Sequence, residues 1–294
     1  MLSSFLGQNK SDQNKSYKTS KEGQGKVISF INQKGGVGKT TMAFNTAYAL
    51  KKRGAKVLCM DLDPQANLTL LFAGEKEIEY GMHQLMINSV RELKALHAPA
   101  LLSDVLISGD VDLLPSGQDL SGFELSVAGI SSPRQLILNK FIQKNALREK
   151  YDYIVIDGPP TLGLLVVNIL CSSDGVMVPF RPDEFSRKGL THFYDVLENI
   201  EDMGVTKTPQ VIGYIPNLVD ARRKQEGLDL GRIREEFSVG KDTPLMNPFY
   251  NRAQLVKSQA QRKSVFGYES IEYRPLQEQF LEIADRIGEW ERRL

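Results

Sequence analysis

Apolar positions along the chain fall into two kinds of run. Short runs rich in β-branched and aromatic residues read as buried strands: Lys26–Asn32, Lys56–Met60, Val111–Pro115, Tyr151–Asp157, Asp174–Pro179 and Gln210–Pro216. Between them, helical spacing predicts helices over Lys39–Arg53, Tyr80–Leu96, Pro133–Arg148, residues 164–170, Ser186–Leu197 and Pro275–Leu294. Gly54 stands where the first helix should stop, and Ser186 is a candidate N-cap. In the last helix Leu276, Phe280, Ile283, Ile287 and Trp290 share one face, and Arg292 and Arg293 are expected in solvent. Strands alternating with helices imply an α/β fold, a doubly wound, mainly parallel sheet flanked by helices. Residues 26–294 read as a single domain. Residues 1–25 hold too few apolar groups to offset their ordering entropy and are expected to be a disordered tail. Its apolar tip, Met1–Leu6, reads as a frayed end or as a docking peptide.

Candidate chemistry gathers where the strands end. Lys34-Gly35-Gly36-Val37-Gly38-Lys39-Thr40-Thr41 lies between the first strand and the first helix. Glycines there let backbone N–H groups turn toward an anion, and the helix N-terminus adds a positive dipole end. Lys39 can reach the β- and γ-phosphates of a nucleotide, and the Thr40 hydroxyl can ligate Mg²⁺. The full phosphate-loop pattern calls for glycine at position 33, where the chain has Gln33, followed by Lys34. Asp61 and Asp63 end the second strand, and Pro64 forces a loop after them. Both acids therefore lie at the carboxyl edge of the sheet, where ligands sit in such folds. Asp157 ends another strand, before Gly158-Pro159-Pro160, and matches the Walker B arrangement that holds a Mg²⁺-bound water. His83 and His97 stand alone and are assigned packing or solvent roles.

Composition narrows the classes. The 294 residues are 41% hydrophobic and 25% charged, with a formal net charge of +1. That is ordinary for a globular chain, so only the distribution of charge could mark a nucleic-acid binder. Cys59 and Cys171 each sit in an apolar run, which predicts buried thiols in a reducing compartment. No run approaches the ~18–20 apolar residues of a membrane span. Met1–Gly7 is too short and uncharged for a secretory signal.

Taken together, Lys34–Thr41, Asp61-Leu-Asp63-Pro64-Gln65-Ala-Asn67 and Tyr153-Ile-Val-Ile-Asp157-Gly-Pro159-Pro160 resemble the ParA/MinD family of P-loop ATPases, and within it the ParA/Soj-type partitioning ATPases. The resemblance continues through Leu162–Asn168 and Val178-Pro179 and more loosely to residue 268. It implies ATP and Mg²⁺ as ligands, a loop from Lys34 to Thr41 around the phosphates, and Thr40, Asp61 and Asp157 supporting the metal and its waters. It implies that Asp63 orients the attacking water, that Lys39 serves the subunit's own ATP, and that Lys34 reaches the nucleotide of a partner subunit. Asn217 and Pro248 become candidates for the adenine pocket. The family usually has Ile-Pro before its last loop and an acid after it. This chain has Met246-Asn247-Pro248-Phe249 and lacks that acid.

The implied function is a dimerisation switch: an ATP-bound homodimer that binds nonspecific DNA, reset when a ParB-type adaptor stimulates slow hydrolysis, in the cytoplasm on the nucleoid. Ala221–Lys263 carries ten basic side chains against five acidic ones. Scattered charge on exposed faces explains such a count; so does the basic loop surface by which ParA-type dimers hold DNA phosphates. Val219-Asp220-Ala-Arg222 is similar to the family's Tyr-Asp-x-Arg stretch, and Arg222, Arg223, Arg252 and Arg262 are the DNA candidates. A MinD-like division-site regulator is the alternative. It requires a basic amphipathic C-terminal helix, and here Glu278, Glu282, Asp285 and Glu289 would be repelled by an anionic leaflet, so no stable membrane binding is expected. An electron-transferring relative is disfavoured by the placement of Cys59 and Cys171. A non-catalytic scaffold is disfavoured by Lys34, Asp63 and Asp157.

Overall fold

A computed structural model describes residues 24–93, 100–238 and 245–294. The expected tail therefore lies outside the described residues except for Gln24 and Gly25, as do His97 and Lys241. Strands β1 (Lys26–Phe30), β2 (Val57–Asp61), β3 (Asp112–Leu114), β4 (Tyr153–Asp157), β5 (Gly175–Phe180) and β6 (Gln210–Pro216) form one sheet in the order β3-β2-β4-β1-β5-β6. All adjacent strands are parallel. The chain leaves β1 in one direction to build β2 and β3, then returns to place β5 and β6 on the other side. The carboxyl end of β1 is thus a switch point. Register sets Phe30 and Asp61 both opposite Asp157, so three strand ends finish level.

A parallel sheet must be covered on both faces. Alternate strand residues divide accordingly. Val27, Met60, Ile154 and Ile156 point into one core, while Ile28, Phe30, Cys59 and Val155 point into the other. The first core is covered by α3 (Met82–Ser89), α6 (Ile137–Lys144), α8 (Leu164–Ser172) and α9 (Glu184–Met203). The second is covered by α1 (Lys39–Lys52) and α12 (Arg274–Glu291). Shorter or more peripheral helices are α2 (Asn67–Ala73), α4 (Leu102–Val105), α5 (Phe123–Ser126), α7 (Leu147–Lys150), α10 (Lys224–Ser238) and α11 (Ala253–Ala260). The predicted stripe of α12, from Leu276 to Trp290, is buried at 0–5% exposure. Each such side chain contributes about 1.5–3 kcal/mol on leaving water. Arg53, after α1, grips Asp285 of α12 through two bonds of 2.8 and 2.6 Å.

Four elements depart from the sequence expectation. Among the described residues, the helix expected over Tyr80–Leu96 is regular only over α3, and residues 94–96 lie outside them. The helix expected over Pro133–Arg148 becomes a 3-10 turn at Arg134–Leu136, then α6 and α7, broken where Ala146 takes φ 50°. Asn145 favours the break, because its side chain caps the Phe141 carbonyl at 2.9 Å. Helix α9 starts two residues before Ser186, so Ser186 lies inside the first turn rather than at the cap. The basic stretch 221–263, which the resemblance sets against the family's basic loops, carries α10 and α11. Cys59 and Cys171 are buried free thiols. Among the described residues, no helix is long and apolar enough to cross a membrane.

Candidate functional site

The loop after β1 is pinned at both ends. Asn32 donates to the Pro179 carbonyl at 2.8 Å and accepts the Lys34 N–H at 2.8 Å. Gly36 and Gly38 take φ 72° and 89°, which glycine adopts without strain. Gly38 has a second constraint: a Cβ there would overlap Asn217 Nδ2. Asn217 follows β6, donates from Nδ2 to the Val37 carbonyl at 2.8 Å, and bonds through its own N–H to the Phe180 carbonyl at 2.7 Å. Its Oδ1 is buried and accepts nothing, an open acceptor beside the loop.

Behind the loop the charge is buried. Lys39 is 6% exposed, and its pKa is lowered by burial against the pull of Asp157 and Asp63. Burial drives the Asp157 pKa well above the carboxylate range, and the neighbouring Asp61 adds to it. Both Asp157 oxygens are buried and accept no hydrogen bond, although the Thr40 hydroxyl is near enough to offset part of the shift. Asp61 differs. Burial pushes its pKa up to about 6, but Oδ2 accepts both the Thr69 N–H and hydroxyl at 2.7 Å, and Oδ1 accepts the Asp63 N–H at 3.1 Å. Asp61 stands beside Asp157 in register, and its oxygens also shape the 61–69 turn, so Asp157 is the open acceptor of the pair. Asp63 is 6% exposed, and its Oδ1 accepts the Gln65 N–H at 3.0 Å.

Of these groups, the loop glycines, Lys39, Asp63 and Asn217 open on a cavity of about 620 Å³, with Asp157 buried behind them. Its floor is Gly35, Gly36, Gly38, Lys39, Thr40, Thr41 and Asp63. One wall is α2 with Leu70 and Leu71; the other is α11 with Leu255, Val256 and Gln259; Asn217, Leu218 and Tyr250–Arg252 close one end. Val37 lies beneath the floor, 1% exposed. Pro248 does not line the cavity: its carbonyl accepts Gln279 Nε2 at 3.1 Å, and the Tyr250–Arg252 turn occupies the expected place. Lys34 does not line it either. Its ammonium turns outward to Asp183.

A Mg²⁺ ion fits this donor set. Asp157 offers two unclaimed buried oxygens and Thr40 a hydroxyl. Among the described residues no three acidic, histidine or cysteine side chains gather to hold a metal by themselves. Mg²⁺ suits that arrangement, since it usually keeps waters and binds through few carboxylates plus phosphate oxygens.

The four arginines of the expected DNA surface separate. Arg222 is 90% exposed and pairs with Asp220 at 2.9 Å, holding that carboxyl at about 2. Arg223 is 62% exposed, between Asp220 and Glu226. Arg252 lines the cavity, and Arg262 pairs with Glu75 at the end of α2. Sequence reasoning missed Thr69, Ser116 and Gln259. The Ser116 N–H donates to Thr69 Oγ1 at 2.9 Å, its hydroxyl donates to the Asp63 carbonyl at 2.8 Å, and Gln259 donates to the Thr41 hydroxyl. No local pattern marks Ser116 or Gln259, because the partners named here are at least 47 residues away in sequence, and Thr69, eight residues after Asp61, carries no motif of its own.

Known proteins are similar to this chain in sequence and in fold. Residues 25–209 match a family described as an AAA domain. The chain is 32% identical to an uncharacterised protein of Methanocaldococcus jannaschii, over 90% of this chain and 98% of that one. It is 31% identical to the sporulation initiation inhibitor protein Soj of Bacillus subtilis, over 67% of this chain and 74% of Soj. The ATP complex of a Cyanothece McdA variant shares the fold, with a TM-score of 0.75, 22% identity, and coverage of 90% of this chain and 97% of that one. Cobyrinic acid a,c-diamide synthase of Mycobacterium smegmatis, with bound ATP analogue and magnesium, superposes with a TM-score of 0.70 at 25% identity, over 89% of this chain and 93% of that one. The chain belongs to the ParA/Soj family of P-loop ATPases.

Proposed function

We propose that the protein is a Mg²⁺-dependent ATP hydrolase used as a dimerisation switch. ATP occupies the cavity over the phosphate loop, and two loaded subunits meet face to face. The dimer holds DNA through phosphates and positions or segregates a chromosome, plasmid or other cargo on the nucleoid. A ParB-type adaptor speeds a slow hydrolysis, and the subunits part.

The chain's own groups support each part. Loop N–H groups and Lys39 bind the phosphates, and the burial of Lys39 strengthens that attraction. Thr40 and Asp157 would hold Mg²⁺. When bound, the ion would supply positive charge against the phosphates. Asp63, tethered by Gln65, orients the attacking water at the cavity floor. In this reading Asn217 Oδ1, buried without a donor, accepts from a base amino group. Arg222 and Arg223 are the DNA contacts of this reading, since Arg252 and Arg262 face elsewhere. A membrane-anchored reading lacks support, because the apolar face of α12 is buried against the sheet.

The observation that carries the reading is the split between two lysines five residues apart. Lys39 points into the cavity and Lys34 away from it, which suits one lysine for the subunit's own nucleotide and the other for a neighbour's. Light scattering with ATP tests it. The wild-type chain should dimerise with ATP and not with ADP, and Lys34→Ala should lose that response. ATP-driven dimerisation unchanged in Lys34→Ala would remove the trans role.

A further inference from the structure

We propose that Arg262 is a positioning residue of the nucleotide site: it braces the end of α2 against the end of α11 and so fixes the gap between the two walls of the cavity. The proposal rests on the reading of that cavity as the ATP site.

Three observations converge. The first is contact across the gap. Arg262 Nη2 donates to Glu75 Oε1 at 3.0 Å, and Nη1 lies 2.8 Å from where a Cβ on Gly74 would stand. The guanidinium therefore rests on the C-terminal end of α2, the negative end of the helix dipole. The second is the backbone. Arg262 follows α11 with φ 51°, a conformation in which glycine is the usual residue after a helix. An arginine held there against that preference points to a job for its side chain. The third is what the brace connects. Helix α2 hangs from Asp61 through Thr69 and supplies Leu70 and Leu71 to the cavity. Helix α11 supplies Leu255, Val256 and Gln259, with Gln259 bonded to Thr41 of the phosphate loop. Arg262 thus closes a ring of contacts around the cavity: Asp61, Thr69, α2, Arg262, α11, Gln259 and Thr41.

The ring gives a specific expectation. Without the brace, both walls stay folded, but the nucleotide must bring them together on binding. Affinity falls while the chemistry at the floor is unchanged.

Arg262→Gly separates this role from a merely structural one. Glycine relieves the left-handed backbone, so the melting temperature should hold or rise. Affinity for a fluorescent ATP analogue should nevertheless fall about three- to tenfold, the size expected from one ion pair and one helix-end contact. KM for ATP should rise with kcat unchanged. Arg262→Lys should recover part of the loss, and DNA retention at saturating ATP should match the wild-type chain. Wild-type affinity in Arg262→Gly, or loss of DNA retention with nucleotide affinity intact, overturns the brace, the second outcome returning Arg262 to the DNA surface. A wild-type chain that binds no ATP analogue would instead overturn the reading of the cavity.

Discussion

Two regions frame the cavity, and they are built on opposite principles. The floor, from the phosphate loop to Asp63 with Asp157 buried behind it, concentrates buried charge that the fold leaves incompletely satisfied. Asp157 accepts nothing, Asn217 Oδ1 accepts nothing, and Lys39 is buried with a lowered pKa. The walls, α2 and α11, are satisfied almost throughout. Thr69 is held by Asp61, Gln259 by Thr41 and Arg262 by Glu75. Unsatisfied buried charge costs stability, and such groups cluster where a ligand completes them. Satisfied contacts hold a shape. The floor is thus assigned the chemistry and the walls the placement of the nucleotide. Substitutions in the floor should change kcat and substitutions in the walls KM.

The largest expected effect is at the floor. Asp63→Ala should bind ATP and dimerise yet lose hydrolysis by about a hundredfold or more, the scale of a lost water-positioning group. Parent-rate hydrolysis in this variant would sink its role. Next, Gly38→Ala should lose about 2–4 kcal/mol, since a methyl group meets Asn217 in a left-handed backbone, whereas Gly35→Ala meets nothing within 4 Å and should stay within about 0.5 kcal/mol. Equal denaturation midpoints for the two would break the account of the loop.

Asp157→Asn should stabilise the nucleotide-free protein by about 1–2 kcal/mol, because it removes a carboxyl whose charged form burial and Asp61 disfavour and Lys39 only partly offsets, while abolishing Mg²⁺-dependent hydrolysis. A lowered melting temperature would contradict it. Linked to this, both Asp61 and Asp157 titrate higher when folded than when unfolded, so the folded chain takes up protons first. For Asp61 the nucleotide-free protein should gain stability as pH falls from about 6 toward the unfolded value near 4. Calorimetry across that window should show the gain disappear in Asp61→Asn, which removes the buried carboxyl that titrates. The smallest effect is at the surface: Arg222→Glu with Arg223→Glu should leave stability within about 0.5 kcal/mol and abolish salt-sensitive DNA retention. Retention that persists at matched salt would place the DNA elsewhere.

The same contrast decides what is legible in the sequence. The floor announces itself because its chemistry needs fixed local signs. Glycines mark positions of positive φ, and acids at strand ends mark the sheet's carboxyl edge. The strands and α12 are equally plain, since their periodicity survives in the packed core. The walls carry no such sign. Helix α2 has seven residues and α11 eight, too short for periodicity to stand out, and the anchors of α11 join residues far apart in sequence. Arg252 and Arg262 read as members of a basic surface because charge counts ignore direction. Pro248 misses the cavity by a short stretch of backbone, with Tyr250–Arg252 reaching it instead.

Subunit mixing tests the central claim, that Lys34 serves the neighbouring subunit's ATP, most directly. Lys34→Ala and Asp63→Ala should each be nearly inactive alone. In an equimolar mixture, dimers that pair one of each have one site that combines an intact Asp63 with Lys34 from the partner. Hydrolysis should return in the mixture, reaching about a quarter of the wild-type rate where half the dimers are mixed. If the mixture stays as inactive as its components while mixed dimers form, Lys34 acts within its own subunit and the account is wrong.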